Sequence, residues 1–117
     1  MLSCFDNYVC DRYTVDVVYA IVNDRCLVFQ NICFLKKFNC KRINQCLPSV
    51  PQTTYRGCYS ACQFTCNVAE SLGVCATFYD ASQLLGTKIS FASKCEADKY
   101  ACQNRVAYTE ITTGFCP

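Results

Sequence analysis

Twice along this chain a phenylalanine opens the same cysteine spacing. FQNICFLKKFNC runs from Phe29 to Cys40 and FASKCEADKYAC from Phe91 to Cys102, both reading F-x-x-x-C-x-x-x-x-[FY]-x-C. Upstream each copy has a cysteine pair, Cys4 with Cys10 and Cys62 with Cys66; downstream each closes on glycine and cysteine, at Cys58 and at Cys116. An internal repeat of this kind constrains the fold more than any local propensity does. It divides the 117 residues into two units, 1–59 and 60–117. Each is too short to bury a large core, so covalent staples must supply much of the stability. Thirteen cysteines supply them and place the chain in an oxidising, secreted or extracellular setting.

The expected fold is small, disulfide-rich α+β, each unit being a short antiparallel hairpin followed by one helix. Val15–Val22 is rich in β-branched residues and reads as a strand; Asn23 marks a turn, and CLVF from Cys26 returns. CATFY from Cys75 and the later TKISF take the same parts in the second copy, with Gly86 in the connection. Asn31 and Ser93 are positioned to cap the helices that follow. Cys33 and Cys40 are seven residues apart, as are Cys95 and Cys102, a spacing that returns to one helical face. Each helix is therefore expected to be stapled twice on its inner side, with Leu35 or Ala97 between. Phe29, Phe38, Phe91 and Tyr100 recur at matched places and are expected in the core. Segment 43–57 contains two prolines and reads as loop.

Several function classes are disfavoured. The chain has no histidine, which removes Ser-His and Cys-His catalysis and every zinc site that needs imidazole. Its nine acidic residues show no paired arrangement, and no phosphate-binding glycine motif occurs, so no enzyme and no cofactor are expected. Cys58, Cys62 and Cys66, four apart, are the only metal-like spacing; without a C-x-x-C pair, no metal is expected. A net charge of +2 is too small to call for nucleic acid, and Lys36, Lys37, Lys41 and Arg42 read as a solvated helix face. No apolar run approaches the ~18 residues of a membrane span. Cys4 follows Met1 almost at once, so a secreted chain is expected to be numbered after its signal, or trimmed.

The six-cysteine set, the hairpin, F-x-N-x-C, the single helix and the closing G-x-C together resemble a Kazal-type domain, twice over. The first copy, with VNDRCLVFQNICFLKKFNC, most resembles the short Kazal-like domains of secreted insect proteins. That resemblance implies a disulfide order of first to fifth, second to fourth and third to sixth. In the second copy this gives Cys62–Cys102, Cys66–Cys95 and Cys75–Cys116. In the first it gives Cys4–Cys40 and Cys10–Cys33, but Tyr19 stands where the third cysteine belongs. Cys26, Cys46 and Cys58 are left, and Cys26 has either of the other two as partner. The preferred pairing is Cys26–Cys58, leaving Cys46 free or linked to another chain.

The resemblance also implies a function. In Kazal inhibitors the loop between the second and third cysteines enters a serine protease like a substrate, with its specificity residue two places after the second cysteine. Arg12, followed by Tyr13, and Val68, followed by Ala69, occupy those places. Arginine suits a trypsin-like pocket and valine an elastase-like one. The family holds this loop with both cysteines and an asparagine beneath it. The first copy has the asparagine, Asn31, without the second cysteine; the second has both cysteines, with Ser93 in place of the asparagine. Two readings follow: a secreted serine-protease inhibitor, or a non-inhibitory secreted structural or interaction module. The second would bind other secreted proteins, or a further copy of itself through the odd thiol.

Overall fold

The computed structural model describes residues 3–5, 7–67 and 72–117. It is a small α+β protein with two antiparallel sheets and, among the described residues, three helices. The first sheet pairs β1 (Val18–Val22) with β2 (Arg25–Phe29) through a two-residue turn. Asn23 and Asp24 both have positive φ, 52° and 65°, the mirror-image turn that matches the twist of a tight hairpin. β1 starts at Val18 rather than the expected Val15, because β2 ends at Phe29 and the chain passes at once into a helix cap. α1 (Ile32–Asn44) follows, with the Asn31 side chain accepting from the Cys33 N–H at 3.1 Å.

The second half repeats this plan. β3 (Val74–Asp80) pairs with β4 (Gln83–Phe91), and α3 (Lys94–Asn104) follows, capped by Ser93, whose hydroxyl accepts from the Glu96 N–H. The registers coincide: Val18 faces Phe29 as Val74 faces Phe91, and Tyr19 faces Val28 as Cys75 faces Ser90. Tyr19 therefore occupies the structural place of the cysteine in the other copy. β5 (Glu110–Thr113) adds a third strand beside β3. In the first half the same side of β1 receives only a single bridge, the Thr53 N–H donating to the Tyr19 carbonyl at 2.8 Å.

Gly86 is not in the connection between β3 and β4, as the sequence suggested, but inside β4. The turn is at 81–82, held by the Asp80 carboxylate accepting from the Ser82 N–H and hydroxyl. Gly86 lies at a register shift with φ +78°, and a Cβ there would lie 2.7 Å from Thr77 Cγ2 and 2.8 Å from the Tyr79 ring. A bulge that places backbone against side chain in this way requires glycine. Segment 43–57 is mostly loop, but it begins in the last turn of α1 and ends in α2 (Tyr55–Cys58), capped by Thr54.

Six disulfides hold the chain: Cys4–Cys40, Cys10–Cys33, Cys26–Cys58, Cys62–Cys102, Cys66–Cys95 and Cys75–Cys116. Cys46 is free and exposed. Five of these pairs follow the order that the resemblance implied, Cys26–Cys58 is the pairing preferred for the cysteines it left over, and α1 and α3 are each stapled twice. Cys58, Cys62 and Cys66, the metal-like spacing, are all consumed in separate bonds, which leaves them no thiolate to offer an ion.

One core cluster lies between the two halves, and a second, Val18, Ala20 and Leu35, lies within the first half. Tyr19, Cys26, Cys58, Cys62 and Cys102 form one buried cluster, with Val28 and Tyr55 packed against it. The largest fully buried side chains are cysteines. The matched aromatics are half-buried and paired instead, Phe29 on Phe38 and Phe91 on Tyr100, with ring centroids 5.2 Å apart in each pair. Phe29 and Phe38 pack against the cluster of Val18, Ala20 and Leu35. The sequence boundary at 59–60 falls within a helical segment, α2 continued by a 3-10 turn over Tyr59–Cys62. Cys58 bonds back to β2 and Cys62 forward to α3.

Replacing Cys62 and Cys102 together by alanine opens a 40-residue separation. The chain-entropy estimate for that loop is about 4 kcal/mol. Because the bond sits in the shared cluster, amide exchange should accelerate in β1 and β2 as well as in α3. Unchanged protection in β1 and β2 would show that the halves are energetically independent.

Candidate functional site

The two loops singled out by the sequence have different surroundings. In the first, the Asp11 carboxylate accepts from the Tyr13 N–H and the Thr14 hydroxyl, both at 2.8 Å. These hydrogen bonds favour the ionised form and hold its pKa below the ordinary value. They also fold residues 11–14 into a turn. The Asn31 amide donates to the carbonyls of Asp11 (2.9 Å) and Thr14 (3.0 Å). The Gln30 amide donates to the carbonyl of Arg12 at 2.9 Å and to that of Tyr79, in the other half, at 2.7 Å.

The side chains of this loop also cross to the second half. Arg12 Nη1 pairs with Glu110 Oε1 at 2.7 Å, and its guanidinium lies 4.5 Å from the centre of the Tyr79 ring. Tyr13 packs edge-on to Tyr79 and donates its hydroxyl to the Leu84 carbonyl at 3.2 Å. The sequence-based picture of a loop tethered only at Cys10 is therefore incomplete. Without its second cysteine the loop is braced by two buried amides and docked on β3, β4 and β5. Arg12 and Tyr13 are brought together as a clamp. The Arg12 carbonyl, which a protease would have to draw into its oxyanion hole, is turned towards Gln30.

The second loop is anchored covalently at both ends. Cys66 is bonded to Cys95 in the first turn of α3, and Cys75 on β3 to Cys116. Val68 and Ala69 lie outside the described residues. The stem leading back to β3 is fixed through its backbone: the Gly73 N–H donates to the Ala92 carbonyl at 3.0 Å, and its own carbonyl accepts from Gly114 at 2.9 Å. The Phe115 ring closes over Gly73, where a Cβ would lie 2.9 Å from it. Leu72, next to this stem, is 82% exposed. Ser93 spends its hydroxyl on the α3 cap.

The sequence pointed to Arg12, Tyr13 and Asn31 but missed Gln30, Tyr79 and Glu110. Gln30 had a signal, lying beside Asn31 in the repeated motif. Glu110 had none, since it meets Arg12 across 98 residues with no local pattern to reveal it. The chain matches no protein-family model, and no curated protein or solved structure matches it either.

The Arg12–Tyr13 bond should resist trypsin in the native protein. Gln30→Ala with Glu110→Ala frees both the carbonyl and the guanidinium, and should accelerate cleavage there at least tenfold without reducing any disulfide. Mass analysis of timed digests reads the result; equal rates in both proteins would mean that the clamp does not protect the bond.

Proposed function

We propose that the chain is a secreted, Kazal-like serine-protease inhibitor that acts through the Cys66–Cys75 loop of its second half, with Val68 as the specificity residue and Ala69 after it. The observation that carries this reading is the double anchoring of that loop, to α3 by Cys66–Cys95 and to β3 by Cys75–Cys116. A loop held at both ends loses little ordering entropy when it docks, and its cleaved ends stay in place. The clamped first loop supports the same assignment by elimination. Arg12 is already paired and its carbonyl turned inward. Valine suits an enzyme with a small apolar pocket. Six disulfides suit an extracellular setting, and no helix among the described residues is long and apolar enough to cross a membrane.

Titration of the whole protein against elastase-like and trypsin-like serine proteases tests the reading. Stoichiometric inhibition of the elastase-like set is expected, and Val68→Arg should move it to the trypsin-like set. Ser93→Asn keeps a good helix cap and returns an amide to the place beneath the loop. It should tighten binding by about 0.5–1.5 kcal/mol, the net worth of one hydrogen bond. No inhibition of either set, or a profile indifferent to Val68→Arg, overturns it.

One observation favours the non-inhibitory module: the exposed, unpaired Cys46 just beyond α1. In an oxidising compartment such a thiol links chains. On this second reading the protein isolated without reductant runs as a disulfide-linked dimer, and Cys46→Ser makes it monomeric. A monomer with a free thiol, or a dimer that survives Cys46→Ser, removes the support.

A further inference from the structure

A cleft of about 430 Å³ opens between the two halves, and it shares no residue with either loop. Its size falls within the range of small-ligand sites. α1 forms one wall with Phe34 and Phe38, β2 supplies Leu27 and Phe29, and the start of α3 and Tyr108 face them. The apolar surface is half-buried aromatic and aliphatic carbon left over because cysteines, not rings, fill the core.

The charged groups of the cleft are mostly cationic. Lys37 and Lys41, one turn apart on α1, line it and make no ion pair among the described residues. Lys94 lines it too, paired with Asp98 at 2.9 Å. Asp98 is the one acidic group in the lining, and it also accepts from the Tyr108 hydroxyl at 2.6 Å. Burial, then the Asp98 charge and this bond, push the Tyr108 phenol above its ordinary range, so it remains a neutral donor to Asp98. Thr109 completes the lining. Its hydroxyl is the only buried side-chain oxygen or nitrogen among the described residues that lacks a hydrogen-bond partner.

We infer that this cleft binds an amphipathic monocarboxylate, its apolar body on Phe34, Phe38, Leu27 and Phe29, its carboxylate served by Lys37 and Lys41. Three lysines against one already engaged aspartate select an anion over a neutral or cationic ligand. The aromatic floor selects a ligand with a substantial hydrocarbon part over a bare inorganic anion. The carboxylate could come from an aliphatic or an aromatic acid, and two probes separate these sources.

Calorimetric titration of the whole protein with laurate below its micellar concentration, and with 2-naphthoate, reads the site directly. Saturable one-to-one binding of at least one acid is expected, weakening as salt is raised; the tighter acid identifies the hydrocarbon body. Lys37→Ala with Lys41→Ala, both on the surface of α1, should weaken it at least tenfold with an unchanged circular dichroism spectrum. Binding of neither acid overturns the inference, as does equal affinity of dodecanol, of inorganic phosphate, or of the double lysine variant.

Discussion

The structure depends on two disulfides that meet in its centre. The sulfurs of Cys26, Cys62 and Cys102 lie within 4.8 Å of one another, so the bonds to Cys58 and between Cys62 and Cys102 pack as one apolar body. Around it stand Tyr19 and half-buried Val28 and Tyr55. Here the largest fully buried side chains are cysteines rather than large hydrocarbon side chains. Cystine does two things at once here: it shortens the unfolded ensemble and it fills the interior. Arg105 seals the edge of the body, donating to the Tyr19 hydroxyl at 3.2 Å with its guanidinium 4.0 Å from the centre of the Tyr55 ring.

The two copies, which have Tyr19 and Cys75 at the same register, are closed differently. In the second half, Cys75 bonds the tail at Cys116, and β5 runs beside β3. In the first, Tyr19 faces inward from the same register, the returning chain makes one bridge at Thr53, and closure passes to Cys26 and Cys58. The two loops differ in mechanical role accordingly. One was drawn down against its neighbour by Gln30, Asn31, Arg12 and Tyr13. The other kept its covalent tethers.

Much of this was legible because cysteine spacing is a long-range signal written locally. The seven-residue interval placed α1 and α3 and their stapled faces, and the repeated motif placed the hairpins. The caps at Asn31 and Ser93 were readable because capping is a contact with the next turn. What escaped was set by contacts between the copies. The ring pairs are half-buried while cysteines are the largest fully buried side chains, a ranking that composition alone does not give. Gly86 was assigned to a turn because glycine marks turns and bulges alike; the Asp80–Ser82 contact settles which it is. The Arg12–Glu110 pair and the cleft beside α1 arise only when the halves are packed together.

β4 is nine residues long and lies at an open side of its sheet, with Leu84 and Leu85 exposed near its start. A straight strand of that kind would offer its unpaired amides and carbonyls to any other chain in the same conformation. The bulge at Gly86 interrupts it, Lys88 follows two residues later, and the Tyr13 hydroxyl occupies the Leu84 carbonyl. The glycine that the hairpin needs on steric grounds thus also keeps the hairpin to itself. One kink and one neighbouring phenol thus blunt the open edge of a cystine-rich sheet.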